Sequence, residues 1–464
     1  MKRRFSVKHL RTQWQSIQTS LWFVPTVLVI AAGISAFIMV EVDHGIQDDE
    51  FSVPNWIFGG SADGARTLLS TIAGSLVTIV GVLFSITIVV LQQAASQFTP
   101  RVMGNFIRQT GTQLTLGIYL ATFLYALLVL RTVRGEDAQA EEFIPRLAIA
   151  MALILATACL GFLVYFIHHM ATSLQASSVL ASVNREFRAD VGPLYPEQVG
   201  KSASDHDRSL ESFREEYMPV PTYRVIAENS GYMLSVDDDM LMAWVPDTTG
   251  VAVLPQIGDF VVRGSPIIEI AGIRDLPDEK RHAIAGCVEL GSERSRYQDP
   301  LFSIRQLVDI ALKALSPGIN DPTTANNAIS VLGDCIAMLS SKQFPDRVRR
   351  LAREEDDDQR GDVHVWTNRP PYAEYVDSAF AEIRRAGLSH VAVTEHLVTI
   401  VGAVGDSITT RERAEPLHQV LTDVLHDLES ANFDERDEQR VRDAVDVARR
   451  RLLSQGSSGQ FGPA

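Results

Sequence analysis

Four long apolar segments, separated by polar stretches, dominate the N-terminal part of the chain. They cover roughly residues 21–42, 70–92, 114–130 and 147–168. Each is close to the length of about 20 residues that a helix needs to cross the hydrocarbon layer. The first is too long for a cleavable signal peptide and lacks a small-residue cleavage site. We therefore predict an α-helical integral membrane domain with four spans over residues 21–170.

The second span carries small and polar residues at helical spacing. They stand three, four or seven positions apart, so they share an arc of about 80° on a helix. Most of the remaining surface is Ile, Val, Leu and Phe, and Val80 and Leu83 belong to this expected lipid face. The pattern predicts that the small residues meet another helix or water. We call these residues the small-residue stripe: Thr71, Gly74, Thr78, Gly81, Ser85 and Gln92.

The loop charges predict an orientation. Residues 1–20 form a basic arm with no acid, the 41–66 loop is acidic, and the 92–113 connection contains Arg101 and Arg108 without an acid. Basic loops stay in the cytoplasm, so both termini are expected there. Arg101 would then lie at the cytoplasmic mouth of the second span, and the arm would touch anionic lipid head groups.

The rest of the chain reads as a cytoplasmic α+β region. β-branched residues and Gly-containing turns at 221–275 predict a small β-barrel or sandwich, in which Asp239 would cap a short helix. Residues 346–371 are charged and then Pro-rich, which predicts an exposed acidic loop. The other predicted segments are a helical connector at 171–220, helical regions at 276–345 and 372–453, and a disordered tail at 454–464.

The string SPGINDP between two predicted helices is a structural corner. Gly318 can end the first helix in a left-handed conformation. Asp321 is placed to cap the second helix, and Pro322 occupies its first position. These residues therefore predict a structural turn between two helices and not a catalytic site.

Charge and composition exclude several classes. The net charge of −15 argues against a nucleic-acid partner. The three cysteines are far apart, which predicts neither a disulfide framework nor a metal site. His390 and His396 fall on opposed helix faces, and no phosphate-loop, zinc-protease, nucleophile-elbow or kinase motif occurs. We expect no metal, no cofactor and no catalytic residue.

A polar cluster just before a predicted helix is a weak candidate anion site. It contains Arg294 and Arg296, which could hold an anion at the helix start. The alternative is an ion-paired loop that joins two helices, and this is the commoner role of such clusters.

Several strings resemble one bacterial family. They are GVLFSITIVVLQQAASQFTPRVMGNF, LGIYLATFLYALLVLRTVR, IGDFVVRGSPI and RYQDPLFSIRQLVDIALKALSPGINDPTTA. The chain is similar to the predicted membrane proteins catalogued as domain of unknown function 2254. The resemblance implies an inner-membrane protein with N-terminal spans and a cytosolic C-terminal region. It implies no activity.

Two functions stay open. A water-lined path needs small, hydroxylated residues, and four spans are too few to enclose one, so a pore would need a homo-oligomer around the second span. Small-residue stripes also let helices pack closely. In that case the protein is a membrane-anchored sensor or scaffold whose cytoplasmic region binds a protein or small-molecule partner. A transporter or an integral-membrane enzyme fits less well, because the spans lack a cluster of ionisable residues.

Overall fold

A computed structural model describes residues 22–48, 59–97, 110–135, 142–173, 175–195, 209–218, 221–245, 248–344, 346–351, 363–408, 410–431 and 433–456. The basic arm, Arg101, Arg108 and residues 457–464 of the C-terminal tail lie outside these ranges, whereas residues 454–456 of the predicted tail are helical. The chain divides into two compact units, Met1–Ser178 and Val179–Ala464. We call them the membrane unit and the C-terminal unit.

The described part of the membrane unit contains four helices that are long and apolar enough to cross a bilayer, as the sequence predicted. They are α1 (Phe23–Asp48), α2 (Ala62–Gln97), α3 (Thr110–Thr132) and α4 (Arg146–Ser173). A separate helix, α5, begins at Ala176.

Helix α3 is the centre of this unit and packs against α1, α2 and α4. Tyr119 and Tyr125 on α3 are fully buried. Their hydroxyls donate to the backbone carbonyls of Cys159 (2.7 Å) and Ala148 (3.1 Å) on α4. Because lipid offers no hydrogen bonds, these contacts satisfy the two buried phenols inside the protein.

Asp43 on α1 ties two helices together at one end of the bundle. Its buried carboxylate accepts hydrogen bonds from the backbone N–H groups of Leu147 (3.0 Å) and Ala148 (2.9 Å) in the first turn of α4. Those N–H groups have no partner within their own helix. A side chain from another helix therefore completes the start of the fourth span.

The C-terminal unit is a mixed α and β structure. Its helices are α5 (Ala176–Leu194), α6 (Leu210–Tyr217), α7 (Asp238–Trp244), α8 (Asp278–Ala285), α9 (Pro300–Ala314), α10 (Pro322–Ser340), α11 (Tyr372–Ala386), α12 (Val391–Val404), α13 (Arg411–Leu428) and α14 (Glu435–Gly456). Its strands are β1 (Thr222–Ile226), β2 (Gly231–Val236), β3 (Gly250–Val253), β4 (Phe260–Val261), β5 (Pro266–Ala271), β6 (Val288–Gly291), β7 (Val348–Leu351) and β8 (Val363–Thr367).

The strands form two sheets, and the described residues contain no closed barrel. One sheet has the order β1-β5-β3-β8-β7 and the other β4-β2-β6. All neighbours are antiparallel except β3 and β8, which pair in parallel. The short helix between β2 and β3 is capped by Asp237, whose carboxylate accepts from Met240 N–H at 3.1 Å, and not by Asp239.

The prediction of an exposed loop at 346–371 was wrong, since β7 and β8 lie inside it. The string VHVWT alternates in a way that suits a strand, and Val363, Val365 and Trp366 are buried in the sheet. Strand β6 likewise falls in the interval 276–345 that was predicted as helical. The prediction used the average composition of each long interval, and short strands such as β6, β7 and β8 contribute little to that average.

The C-terminal helices pack around a second core. Helix α9 packs against α10 and α11, α10 packs against α12, and α12 packs against α14. Helix α14 is charged overall but buries an apolar face formed by Val441, Val445, Ala448 and Leu452. Gly402 lets α12 approach it closely, because a Cβ there would lie 2.8 Å from the Cβ of Ala448.

Candidate functional site

The small-residue stripe lies on the face of α2 that points away from the other three spans. The packed face is formed by residues such as Ala65, Leu69, Leu76 and Leu83, which are fully or almost fully buried. All six stripe residues are exposed in the protomer. On a helical wheel the stripe and the packed face are about 180° apart. The membrane unit therefore presents the stripe outward.

The stripe is an open shallow surface. A Cβ at Gly74 or Gly81 would meet no atom within 4 Å. The hydroxyls of Thr71 and Thr78 donate to carbonyls of their own helix, at Thr67 (2.7 Å) and Gly74 (3.2 Å). The two threonines thus satisfy their donors locally and still present oxygen atoms. At these two positions the surface can therefore face a second helix or water without leaving a donor unpaired.

The expected lipid face of α2 needs a correction. Leu83 is 0% exposed and Val80 is half-buried, so both belong to the side that packs inside the protomer. Phe84 and Ile86 are exposed, at 38% and 37%, and lie on either side of the stripe. The sequence pattern could not distinguish an apolar residue facing lipid from one facing α3, because both surroundings are apolar.

Arg101, predicted at the mouth of the second span, lies outside the described residues. Its role stays a prediction.

The SPGINDP corner has the local chemistry of a helix start. The Asp321 carboxylate accepts from Thr324 N–H (3.0 Å) and from the Thr324 hydroxyl (2.6 Å), and Pro322 is the first residue of α10. These bonds lower the pKa of Asp321. The left-handed conformation falls on Asn320, with φ of +49°, and not on Gly318. Both residue types tolerate this conformation, so the sequence alone did not decide between them.

Arg294 and Arg296 are engaged by carboxylates. Arg294 forms a bidentate pair with buried Asp299, with N–O distances of 2.6 and 3.1 Å. Arg296 pairs with Glu186 on α5 and lies 3.9 Å from Asp190. Arg296 therefore joins the loop before α9 to α5, whereas Arg294 holds that loop to the start of α9. Both guanidiniums are thus engaged by carboxylates, which is the arrangement that the ion-paired alternative describes.

The two histidines of α12 and its cap have separate partners. His390 contacts Asn320 Oδ1, and His396 contacts Ser330 Oγ, each at 2.8 Å. Within the described residues no group of three or more His, Cys, Asp or Glu side chains could hold a metal.

A further cluster surrounds Phe344, and sequence reasoning missed it. The aromatic rings belong to residues just after α5, just after α10 and in the first turn of α11. The guanidinium of a residue in the first turn of α13 lies against them. Because these positions are remote in the chain, no local spacing could have indicated them. We call this group the Phe344 cluster: Tyr195, Phe344, Tyr372, Tyr375 and Arg413.

The four apolar helices and the separate mixed α and β unit define an integral membrane protein with a large extramembrane part. The family described as "Predicted membrane protein (DUF2254)" matches residues 18–403. The chain belongs to this family.

The relatives carry no stated activity. An uncharacterized protein of Mycobacterium tuberculosis (strain CDC 1551 / Oshkosh) is 31% identical over 441 residues, which cover 92% of this chain and 80% of the relative. An uncharacterized protein of Mycobacterium bovis has the same identity and coverage. No solved structure matches the chain.

Proposed function

We propose that the protein forms a homo-oligomer in a bacterial inner membrane, with α2 of each protomer lining a central pore. The C-terminal unit then lies in the cytoplasm and regulates the pore. The observation that supports this proposal is the outward direction of the small-residue stripe. A face that combines small residues with Thr and Ser oxygen atoms suits a hydrated path.

The second candidate function is a sensor or scaffold in which the same stripe packs against another copy. The internal hydrogen bonds of Thr71 and Thr78 favour it, because they leave neither threonine with a donor that requires water. Open glycines also allow close helix contact. Both functions need an oligomer: in the pore the stripe faces a shared aqueous path, and in the scaffold it packs directly against another copy.

Cysteine labelling separates the two functions. Cysteines introduced at Thr78 and Ser85 would be treated with a charged, membrane-impermeant thiol reagent, in protein verified as folded and oligomeric. In a pore both should react at least about tenfold faster than cysteines at Phe84 and Ile86, because only a hydrated thiol forms the reactive thiolate. Conductance should change as well.

The controls are defined by burial in the protomer. Phe84 and Ile86 represent the exposed apolar sides of α2, and a cysteine at Leu83 reports the dry packed face. The native Cys287 and Cys335 are buried, and burial raises the pKa of Cys287 to about 12. Native Cys159 is buried too. Equal labelling at 78, 85, 84 and 86 would remove the pore and leave the scaffold.

A further inference from the structure

The Phe344 cluster contains a charged group with an unusual environment. The Arg413 guanidinium is half-buried, and its Cζ lies 4.2 Å from the ring centroid of Phe344 and 4.7 Å from that of Tyr372. Within the described residues the guanidinium has neither a hydrogen bond nor an ion pair. By contrast, the similarly buried Arg294 and Arg384 pair with Asp299 and Asp427. Five N–H donors of Arg413 are thus left available.

The cluster also has hydroxyl donors without acceptors. Tyr372 is 4% exposed, and its hydroxyl is buried with no hydrogen-bond partner. The hydroxyls of Tyr195 and Tyr375 bond to each other at 2.7 Å. One of these two donates, so the proton of the other has no acceptor among the described residues. Leaving buried donors unpaired costs free energy that a ligand with acceptor atoms would recover.

Two helix N-termini meet at the same place. Tyr372 is the first residue of α11, and Arg413 lies in the first turn of α13. The residues that precede these helices, Pro371 and Thr410, provide no side-chain cap. Helix N-termini carry a partial positive charge and favour anions. A side chain at the first helical position also points back past the N-terminal end, which directs Tyr372 toward this region.

The acids near the cluster already have donors of their own. Glu374 accepts from Gln256 Nε2 at 2.9 Å, and Asp299 is held by Arg294. Glu412, the neighbour of Arg413, is exposed. Burial keeps the phenols protonated, because it raises the pKa of Tyr372 and Tyr375. The cluster is therefore rich in donors and poor in acceptors.

We propose that the Phe344 cluster binds a phosphate group, either inorganic phosphate or a phosphomonoester, with Arg413 as the charged anchor and the Tyr372 hydroxyl as a further donor. Phosphate has three terminal oxygens and two charges, which match a guanidinium fork together with donors from other directions. This proposal does not depend on whether the spans form a pore. The site would be a ligand site in the C-terminal unit.

The test is equilibrium dialysis of the purified full chain in detergent against radioactive inorganic phosphate. The expected result is saturable binding with a Kd below about 1 mM. Arg413→Gln should weaken binding at least about tenfold, since it removes the charged anchor. Arg411→Gln is the matched control: Arg411 is exposed in the same helical turn, and its substitution should leave binding unchanged.

A second variant keeps the test decisive if Arg413→Gln folds poorly. Tyr372→Phe removes one unpartnered hydroxyl and retains the ring that contacts Arg413, so the protein should fold as well as the wild type or better. Its phosphate affinity should nevertheless fall severalfold. Absence of saturable binding by the wild type, or equal binding by wild type and Tyr372→Phe, would overturn the proposal.

Competition identifies the source of the phosphate group. Glycerol phosphate and a short-chain phosphatidate would each be added to protein loaded with radioactive phosphate. Displacement by both indicates a soluble phosphomonoester site, and displacement by phosphatidate alone indicates a lipid head group. Either result supports the shared chemistry, displacement by neither restricts the site to inorganic phosphate, and failure of excess unlabelled inorganic phosphate to displace the label contradicts the proposal.

Discussion

Asp321 is the residue of the SPGINDP corner whose contribution can be tested most directly. Its carboxylate caps α10 through two bonds to Thr324. Asp321→Ala should lower the free energy of unfolding by about 0.5–2 kcal/mol. This loss corresponds to a fall of a few degrees in melting temperature, followed by tryptophan fluorescence of the full chain in detergent.

The control for this substitution is Gly318→Val. Gly318 does not adopt a positive φ, and a Cβ there would meet no atom within 4 Å. The melting temperature should therefore change little, in contrast to the larger loss expected if Gly318 were the left-handed residue. A large loss at Gly318 together with no loss at Asp321 would contradict our account of the corner.

The cap should also have a characteristic pH dependence. The bonds from Thr324 lower the pKa of the folded Asp321 carboxyl below its usual value near 3.8. Such a group stabilises the fold above the unfolded pKa, and its contribution is lost as pH falls through the lower folded pKa. The difference in melting temperature between wild type and Asp321→Ala should thus be constant near neutral pH and shrink below about pH 3.8.

At this scale the sequence predicted what depends on neighbours in the chain. The positions of Asp321 and Pro322 at the start of α10 follow from local spacing. The choice of Asn320 over Gly318 as the left-handed residue does not, since both tolerate positive φ. The Phe344 cluster was beyond prediction because its members approach one another only when the C-terminal unit has folded.

At the scale of the element, two glycines provide a matched test of the stripe. Gly81 on α2 and Gly161 on α4 are both exposed, and neither would bring a Cβ within 4 Å of another atom of the protomer. If the stripe packs against another copy, Gly81→Leu should disrupt the oligomer, because a large side chain blocks close approach there. Gly161→Leu should leave it intact. Analytical ultracentrifugation in detergent measures the outcome.

The opposite pattern, with the oligomer lost only in Gly161→Leu, would place the contact on α4. Equal mass for both variants and the wild type would show that the stripe does not join protomers. Either result would exclude the scaffold in which the stripe packs directly against another copy, and the cysteine labelling would then decide on the pore.

The spans were predictable from sequence because length and apolar character alone define a membrane helix. The side of α2 that packs against the other helices was not predictable, since an apolar residue such as Leu83 suits contact with lipid and with α3 equally well. Strands β7 and β8 escaped notice because a charged run lies between them in the sequence. Their pairing depends on β3, which is remote in the chain.

For the whole molecule, the distribution of loop charge predicts that both termini are cytoplasmic. A reporter that is active only in the periplasm should be silent when fused after Ala464 and active when fused near Asp49, because basic segments are retained inside. Activity of each fusion in cells measures the outcome. The reverse pattern would invert the orientation and would place the C-terminal unit outside.

The parallel pairing of β3 with β8 has a consequence for synthesis of the chain. Strand β3 can pair with β5 soon after both have been synthesised, because a short connection separates them in the chain. Its other edge stays unpaired until Val363–Thr367 has been synthesised. In the interval Gly250–Val253 exposes unpaired backbone groups that can recruit a strand from another chain. Truncations that end before Val363 should consequently be prone to aggregation, whatever their content of intact helices.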